Sequence, residues 1–491
     1  MSETLVRRAT PGLLVGGRWI DTADTYEIVN PATEEPVGAA PEATVEQAQA
    51  AAAAAREAFP AWSRTTPKER FDLLLAAAQR VRERMPELVP LVQAETGATI
   101  TVTKTMQVPV CAGRLERYAY GALEPATIPI TPLEVAAHPL SQGGSVVGGV
   151  AVRQPVGVVA CITPYNFPIV NCAGKIGPAL AMGNTVVVKP APQDPLAVVE
   201  LVRILDEVGF PPGVVNVVTG SGPAVGQALV ESPDVDMVSF TGSTTVGQAI
   251  AAAGAATMKR LLLELGGKSA NLVFDDAPLE RAVPGSASVW TFHSGQICTA
   301  PTRLFVQRGV YDRFVEGLTT LAGYLQVGDP LDPKTVVGPL ISAAQRERVE
   351  GYVQIGRDEG AEVACGGDRP DLDRGWFVNP TLLAQGRNDM RVAREEIFGP
   401  VIVAIPFDDE DEGIALANDS EFGLHGYVWT ADTARGLRVA RQLRTGNVSV
   451  NGAPPNPEAP FGGFKMSGIG RDGGSFALAQ YSELQSIVWP A

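Results

Sequence analysis

The stretch from Val156 to Gly267 decides the fold, because one pattern recurs along it. Five apolar runs follow one another: VGVVACIT (156–163), NTVVVKP (184–190), GVVNVVTG (213–220), DVDMVSFTG (234–242) and RLLLELGG (260–267). Segments of helix length separate them, including 195–208 and 244–256. Buried apolar strands that alternate with helices are typical of a parallel sheet with right-handed crossovers. The stretch therefore predicts a parallel α/β sheet covered by helices.

Outside this stretch, the pattern changes twice. A second α/β alternation runs from about 270 to 465, with strand candidates NLVFDD (271–276), RLFVQRG (303–309), VIVAIPF (401–407) and NVSVNG (447–452). Residues 121–155 lose helical periodicity and predict an extended hairpin, and YSELQSIVW (481–489) alternates like an edge strand that could pair with another subunit. Upstream, the alanine-rich stretch 45–59 and the amphipathic stretch 67–95 each predict one helix.

Composition narrows the function classes. The chain has 491 residues, 45% hydrophobic and 19% charged, which fits a globular protein with large cores. A net charge of −15 argues against nucleic acid or an anionic membrane as partner. The apolar run from Leu13 to Gly17 is too short for a signal peptide, and no stretch is long enough to span a membrane, so a cytoplasmic location is expected.

Cysteine and histidine usage predicts neither disulfides nor a metal site. The five cysteines, an odd number, are widely spaced without a CxxC motif. The three histidines, His138, His293 and His425, lie far apart, which makes a zinc site from them unexpected.

Two glycine-bearing segments follow successive strands and suggest a phosphate-binding edge. One contains Gly220, Ser221, Gly222 and Gly226, and the other is Phe240–Ser243 with Gly247. Free N–H groups at a helix start attract phosphate, but a glycine after a strand is usually only a turn, and neither segment has the GxGxxG pattern. Both together, on one parallel sheet, favour a dinucleotide at the carboxyl ends of the strands.

Three polar residues stand out against their surroundings. Cys298 lies among small and polar residues before a strand; it is either a nucleophile with a pKa lowered by a helix-start N–H, or a small buried residue. Glu264 interrupts an apolar strand and is either a general base or the partner of Lys268 in a buried ion pair. Asn166 ends the first strand and either donates to an oxyanion or forms an ordinary turn.

These motifs together resemble the aldehyde dehydrogenase superfamily, over nearly the whole chain. The segments that carry the resemblance are GGRWIDTADTYEIVNPATEEPVG (16–38), PYNFP (164–168), GPALAMGNTVVVKPAP (177–192), FTGSTTVG (240–247), LELGGKSANLVF (263–274), GQICTAPTR (295–303), EEIFGPV (395–401) and PFGGFKMSGIGR (460–471). The resemblance implies an α/β fold with a Rossmann-like cofactor domain, an α/β catalytic domain and a small β extension for oligomerisation. The implied domains are 1–125 with 152–262 for the cofactor and 263–465 for catalysis, with 126–151 and 474–491 as oligomerisation segments.

The resemblance also implies catalytic roles. Cys298 would be the nucleophile that holds the substrate as a thioester, with no metal required. Asn166 and the backbone N–H of Cys298 would stabilise the oxyanion, and Glu264 would activate the deacylating water. Lys175 resembles the lysine of a proton path, with Asp472 where many members have glutamate.

Cofactor and substrate residues follow from the same resemblance. The implied NAD site, with NADP left open, comprises Ile162, Thr163, Pro164, Tyr165, Lys189, Ala191, Pro192, Gly222, Gly226, Phe240, Thr241, Gly242, Ser243, Val246, Leu265, Gly266, Glu396 and Phe398. Pro192 stands where many NAD-preferring members have a glutamate that would repel a 2′-phosphate. The implied substrate tunnel comprises Phe167, Val170, Asn171, Gly174, Phe292 and Ile297.

Glycine at position 174 bears on the substrate. Relatives that oxidise small aliphatic aldehydes often have tryptophan there, so Gly174 predicts a wider tunnel and a medium or bulky apolar aldehyde. Two other functions stay open: a CoA-acylating semialdehyde dehydrogenase, which generally lacks the glutamate at Glu264, and a non-enzymatic nucleotide-binding or structural member. The expected partners are the aldehyde and other copies of the chain, as a dimer or a tetramer.

Overall fold

Two large sheets and one small sheet organise the chain in a computed structural model that describes residues 12–136, 140 and 144–490. His138 lies outside the described residues. The strands are β1 Leu13–Val15, β2 Arg18–Ile20, β3 Thr25–Val29, β4 Pro36–Pro41, β5 Thr127–Val135, β6 Ser145–Pro155, β7 Val158–Ile162, β8 Thr185–Lys189, β9 Val215–Val217, β10 Met237–Thr241, β11 Arg260–Glu264, β12 Ala270–Val273, β13 Arg303–Gln307, β14 Glu362–Cys365, β15 Thr381–Ala384, β16 Val401–Phe407, β17 Phe422–Gly423, β18 His425–Trp429, β19 Asn447–Val450, β20 Phe464–Lys465, β21 Gly468–Ile469 and β22 Ser482–Pro490.

Helices connect and cover these strands. They are α1 Val45–Trp62, α2 Pro67–Glu83, α3 Met85–Thr96, α4 Ile100–Val102, α5 Val108–Ala122, α6 Pro168–Ala181, α7 Leu196–Glu207, α8 Ala224–Glu231, α9 Thr244–Gly254, α10 Leu279–Thr291, α11 Tyr311–Ala322, α12 Ala343–Asp358, α13 Arg391–Arg394, α14 Glu410–Asn418, α15 Thr433–Gln442 and α16 Gly474–Gln480. A π-helical turn, Thr103–Gln107, joins α4 to α5.

The first sheet has the order β2-β1-β9-β8-β7-β10-β11-β21. Strands β9, β8, β7, β10 and β11 run parallel, as the apolar runs predicted, and Thr241 pairs with Glu264 in register. One hydrophobic core, with residues of α2, α5, α6 and α7, lies against one face, and a second core, with residues of α1, α8 and α9, lies against the other. Burial on both faces explains why these strands read as continuous apolar runs.

The second sheet has the order β14-β15-β16-β13-β12-β18-β19 and is parallel except at β14. The four strand candidates between 270 and 465 appear in it as β12, β13, β16 and β19. The loops that precede β13, β16 and β18, at the amino ends of these strands, line the same cleft as the carboxyl ends of the first sheet's strands, so the cleft receives loops from both sheets.

The third sheet is antiparallel, with the order β22-β6-β5. The extended hairpin and the terminal edge strand predicted from the sequence form this sheet, and Ile487 pairs with Val150. Leu133 and Val488 are large apolar side chains that it leaves exposed. The predicted α/β fold class with a small β extension is confirmed.

The single helix expected over 67–95 is wrong, because the helix breaks at Arg84. Pro86 follows within the first turn of α3; it has no N–H to donate and its ring would clash with a carbonyl one turn earlier. The chain therefore restarts as α3. Among the described residues, no helix is long and apolar enough to cross a membrane.

Candidate active site

A cavity of about 1910 Å³ lies between the carboxyl ends of the first sheet's parallel strands and the amino ends of β12, β13, β16 and β18 in the second sheet. Every residue assigned above to catalysis, cofactor or substrate lines it, except Gly174 and Lys175. The strand ends of β7, β8, β10 and β11 supply one wall, and the loops around Cys298 and Phe398 supply the other. Residues far apart in sequence thus meet in one cleft.

Cys298 sits in a loop that is held in an unusual conformation. His293 and Ser294, just before it, have φ of 48° and 57°, a region that non-glycine residues rarely occupy. Ser294 Oγ donates to the Gly338 carbonyl at 2.8 Å, and the Ile341 N–H donates to Gln296 Oε1 at 3.0 Å. These bonds fix the strained loop and hold Cys298 half-buried in the cavity.

The pKa of the Cys298 thiol moves upward, not downward as its loop position suggested. Burial, and then the nearby carboxyls of Glu264 and Glu396, raise the pKa of Cys298 to about 12. The backbone N–H groups of Cys298 and Thr299 act in the opposite direction but are outweighed. Cys298 therefore needs a proton acceptor before it can attack a carbon atom.

Asn166 is anchored beside this loop. Its Nδ2 donates to the Gln296 carbonyl at 2.8 Å, and its own carbonyl accepts from Gln107 Nε2 at 2.9 Å. Phe167 next to it stacks on Phe292 with a centroid distance of 6.1 Å. The amide is buried and oriented toward the loop that carries Cys298, as an oxyanion donor would be.

Glu264 ends β11 as a buried carboxyl with no hydrogen-bond partner for either oxygen among the described residues. Burial, and then the charge of Asp472, raise its pKa well above 4.5. The described residues contain no ion pair between Glu264 and Lys268; the charge neighbours of Lys268 are Arg303 and Glu396. The arrangement favours a proton acceptor over a structural ion pair at Glu264.

Lys175 lies behind the cavity wall, at the start of a short chain of hydrogen bonds. Its Nζ donates to Ser239 Oγ at 3.2 Å, and Ser239 Oγ lies 2.7 Å from the Tyr481 hydroxyl. Burial lowers the pKa of Lys175, while the charges of Asp472 and Glu264 act in the opposite direction. An amine with a lowered pKa beside two carboxyls can give and take a proton.

The second glycine segment is free to bind an anion, and the first is not. Ser243 caps α9, with its Oγ accepting from the Val246 N–H at 3.4 Å, and the first turn of that helix opens to the cavity. In the first segment, the Ser221 N–H already donates to both carboxylate oxygens of Glu42, at 3.1 and 3.0 Å. A pyrophosphate group would therefore fit at the start of α9.

Lys189 and Glu396 both line the cavity. Burial lowers the pKa of Lys189 to about 8, opposed by Glu42, and its Nζ donates to the Pro190 carbonyl at 3.1 Å. Burial raises the pKa of Glu396 to about 7, although the carboxylate accepts the Gly267 N–H at 3.1 Å. Both groups retain free hydrogen-bonding capacity for ribose hydroxyls.

The sequence analysis did not identify the residues of α12 that hold the cavity loop containing Glu396 and Phe398. Gln345 Nε2 donates to the carbonyls of Ile397 and Phe398, at 3.0 and 2.9 Å, and Arg348 Nη2 donates to the Glu396 carbonyl at 2.6 Å. Phe398, with φ of 61°, meets Tyr165 edge-on at 5.8 Å. Glutamine and arginine on a polar helix are unremarkable in sequence, and only their contacts reveal the role.

Gly174 does not open space in the tunnel, which corrects the expectation from its sequence position. A Cβ atom at Gly174 would lie 2.2 Å from Arg114 Nη1, so the guanidinium of Arg114 fills this space. Arg114, on α5, lines the cavity and donates from Nη1 to the Val170 carbonyl at 3.1 Å. The wall that looked apolar from the sequence therefore contains a cation.

The fold and the site define an enzyme that joins a dinucleotide-type sheet to a cysteine-bearing catalytic loop. The aldehyde dehydrogenase family matches residues 19–487. Betaine aldehyde dehydrogenase of Mesorhizobium japonicum is 43% identical, over 96% of this chain and 96% of its own length. Geranial dehydrogenase of Castellaniella defragrans is 40% identical, over 97% and 98%.

Among solved structures, betaine aldehyde dehydrogenase from Staphylococcus aureus in complex with NAD+ superposes with a TM-score of 0.94 at 35% identity, covering 99% of this chain and 96% of the other. The chain belongs to the aldehyde dehydrogenase family. The predicted enzyme class, an NAD(P)-dependent aldehyde dehydrogenase, is confirmed.

Proposed function

We propose that this chain oxidises a medium or bulky aldehyde to the carboxylic acid with NAD+, through a thioester on Cys298. One observation supports this above the others: the cavity brings together Cys298, the buried amide of Asn166 and the carboxyl of Glu264, which has no hydrogen-bond partner in the described part of the chain. A nucleophile, an oxyanion donor and a base are the groups that acyl chemistry needs.

The residues present fit the dinucleotide. Ser243 and the start of α9 would hold its pyrophosphate, while Lys189 and Glu396 would contact its ribose hydroxyls. Bound NAD+ would supply the hydride acceptor. Pro192 leaves no carboxylate at that position to repel a 2′-phosphate, so NADP is the second candidate, and the solved relative in complex with NAD+ favours NAD.

The chain's own groups carry the steps at the substrate carbon. The Cys298 thiol loses its proton to solvent, and the sulfur bonds to the aldehyde carbon. One N–H of the Asn166 amide bonds Gln296, and the other is available to the substrate oxygen, together with the Cys298 backbone N–H. After hydride leaves the carbon, Glu264 takes a proton from water, hydroxide adds to the thioester, the C–S bond breaks to return the Cys298 thiolate, and the carboxylic acid departs. Lys175 lies where it can pass protons onward.

The apolar lining of the cavity near Cys298 supports a medium or bulky aldehyde as substrate. Phe167, Val170, Phe292 and Ile297 line the substrate end of the cavity with apolar surface. The relative named geranial dehydrogenase acts, by its name, on an apolar aldehyde of the medium to bulky size proposed for this chain. Glu264 favours hydrolysis of the thioester over transfer to CoA, which is the alternative within the family.

The domain boundaries and the association between copies of the chain follow the resemblance to the family. We propose the division into cofactor residues 1–125 and 152–262, catalytic residues 263–465 and oligomerisation segments 126–151 and 474–491, in a cytoplasmic homo-oligomer. The apolar side chains that β5 and β22 expose support an interface between copies at the third sheet.

A panel of aldehydes, assayed with NAD+ and NADP+ and with and without CoA, tests the function. We expect acid formation without CoA, and loss of turnover in Cys298→Ser, because a hydroxyl is a far weaker nucleophile than a thiolate. Cys365→Ser, half-buried in β14 away from the cavity, is the matched control. Turnover above a few per cent in Cys298→Ser, or an absolute requirement for CoA, would contradict the proposal.

A further inference from the structure

Arg114 is the feature of the cavity that the proposed chemistry does not use. It lies on α5, and its guanidinium extends over Gly174 into the substrate end of the cavity. Among the described residues, its guanidinium donates one hydrogen bond, to the Val170 carbonyl, and forms no ion pair. Most of its donors are therefore free to bind a ligand.

The neighbouring arginine, Arg117, differs from Arg114 because its guanidinium is already paired with carboxylates. Arg117, one turn further along α5, also lines the cavity, but it is paired with Glu124 at 2.9 Å and with Glu458. Its charge is compensated before any substrate arrives. Arg114 is thus the cation at the substrate end that remains available to a ligand.

The carboxyl of Asp472 lies near Arg114. The site of a Cβ on Gly174 is 2.2 Å from Arg114 Nη1 and 3.6 Å from Asp472 Oδ2, so the guanidinium and this carboxyl both lie beside Gly174. Asp472 Oδ1 accepts the Gly473 N–H. A role in which Arg114 only balances the charges of Asp472 and Glu264 would instead predict equal losses on all aldehyde types when Arg114 is removed.

Apolar side chains line much of the cavity that contains Arg114. Met106, Val110 and Phe461 line it with Phe167 and Val170, so the cavity that holds Cys298 offers a ligand both hydrocarbon surface and the guanidinium of Arg114. Such a wall suits a substrate with an apolar spacer and one anionic end. A planar guanidinium binds a carboxylate through paired hydrogen bonds.

We propose that Arg114 selects aldehydes that carry a carboxylate at the end remote from the reacting carbon. This inference rests on the proposed aldehyde oxidation and names its substrate class. It also predicts discrimination against cations: a trimethylammonium aldehyde, the substrate named for several relatives, would meet a like charge at Arg114. Gly174 contributes because its missing Cβ leaves room for the guanidinium.

The test compares matched straight-chain aldehydes that end in a carboxylate, a methyl group or a trimethylammonium group, at short, medium and long chain lengths. The measurement is kcat/KM with saturating NAD+. In Arg114→Met, we expect the ratio of carboxylate to methyl substrates to fall roughly tenfold to a hundredfold at the preferred length. Lys104→Met removes one exposed cation from the π-helical turn beside α5 and should leave this ratio near its wild-type value.

Gly174→Ala provides a second route that keeps Arg114. The new methyl group would force the guanidinium aside, so the same ratio should fall even though no charge is lost. This variant also answers the question if Arg114→Met does not fold.

Equal losses on all three aldehyde types would mean that Arg114 only balances Asp472, and would overturn the inference. An unchanged ratio in both variants, or a wild-type preference for the cationic aldehyde, would also overturn it. If the wild-type enzyme oxidised no aldehyde of any type, the proposed function itself would fail.

Discussion

Replacing Glu264 by glutamine should separate the two halves of the reaction. Glutamine keeps the size of the side chain but cannot accept a proton. If Glu264 mainly activates water, Glu264→Gln should still form the thioester and release about one equivalent of NADH per site in a burst, followed by slow turnover.

The structure gives the magnitude. Glu264 accepts no hydrogen bond from the described residues, so the amide breaks none, and the main loss is that of the general base. A positioned base contributes ~100-fold to 10,000-fold to a rate, which is the expected fall in steady-state kcat. The free energy of unfolding should change little, because the wild-type carboxyl is already buried without a hydrogen-bond partner among the described residues.

The pH dependence provides an independent check. Burial and Asp472 hold the pKa of Glu264 well above 4.5, so in wild-type enzyme kcat should rise with pH as the carboxyl ionises through that raised pKa. Glu264→Gln should lose this rise. Rapid-mixing measurement of NADH absorbance across a pH series reads both effects.

Glu124→Gln is the control, since it makes the same chemical change in a carboxyl that pairs with Arg117 and does not line the cavity. It should show wild-type burst and turnover. Loss of the burst together with turnover in Glu264→Gln would mean that Glu264 acts earlier, as the base for Cys298. An unchanged steady-state kcat would refute the role altogether.

Three further predictions follow from the same structure. Pro192→Glu should raise the ratio of kcat/KM for NAD over NADP by about tenfold or more, because a new carboxylate would repel the 2′-phosphate; steady-state kinetics with both cofactors check this. Gly174→Trp should displace the Arg114 guanidinium and lower kcat/KM for bulky aldehydes roughly tenfold to a hundredfold while sparing small ones, and equal losses on both would contradict it. Burial raises the pKa of Glu95 to about 8, and burial with the charge of Glu95 raises the pKa of Asp194. The contribution of these two carboxyls to stability is therefore complete below pH ~4 and is lost as pH rises toward 8. Asp194→Asn should raise the melting temperature above pH 8, and an unchanged pH profile in thermal unfolding would oppose this.

Much of the fold was predictable because its signals are local. Apolar runs at regular spacing predicted the parallel strands of both sheets, and alternation predicted β22. The helix break at Arg84 was missed because amphipathic periodicity continues through it and outweighed the proline two residues later.

The candidate site was predictable where motifs mark single residues, and not where contacts decide. Cys298, Glu264 and Asn166 stand out in the chain and meet in the cavity. The direction of the Cys298 pKa shift depends on burial and on carboxyls far away in sequence, which no local pattern records. Gly174 suggested open space because no local pattern shows that Arg114 reaches it from a different helix.

The hydrogen bonds of Tyr481 tie the end of the chain to its chemistry. Its hydroxyl bonds the serine that holds Lys175, its carbonyl accepts from Asn184, and the next residue begins β22. A premature stop codon or a proteolytic cut ahead of Tyr481 would therefore do more than trim a surface strand. It would leave the Ser239 hydroxyl, which accepts from Lys175, without its phenol partner, so we expect such a truncated enzyme to keep its substrate cleft but to lose part of the proton transfer proposed for Lys175.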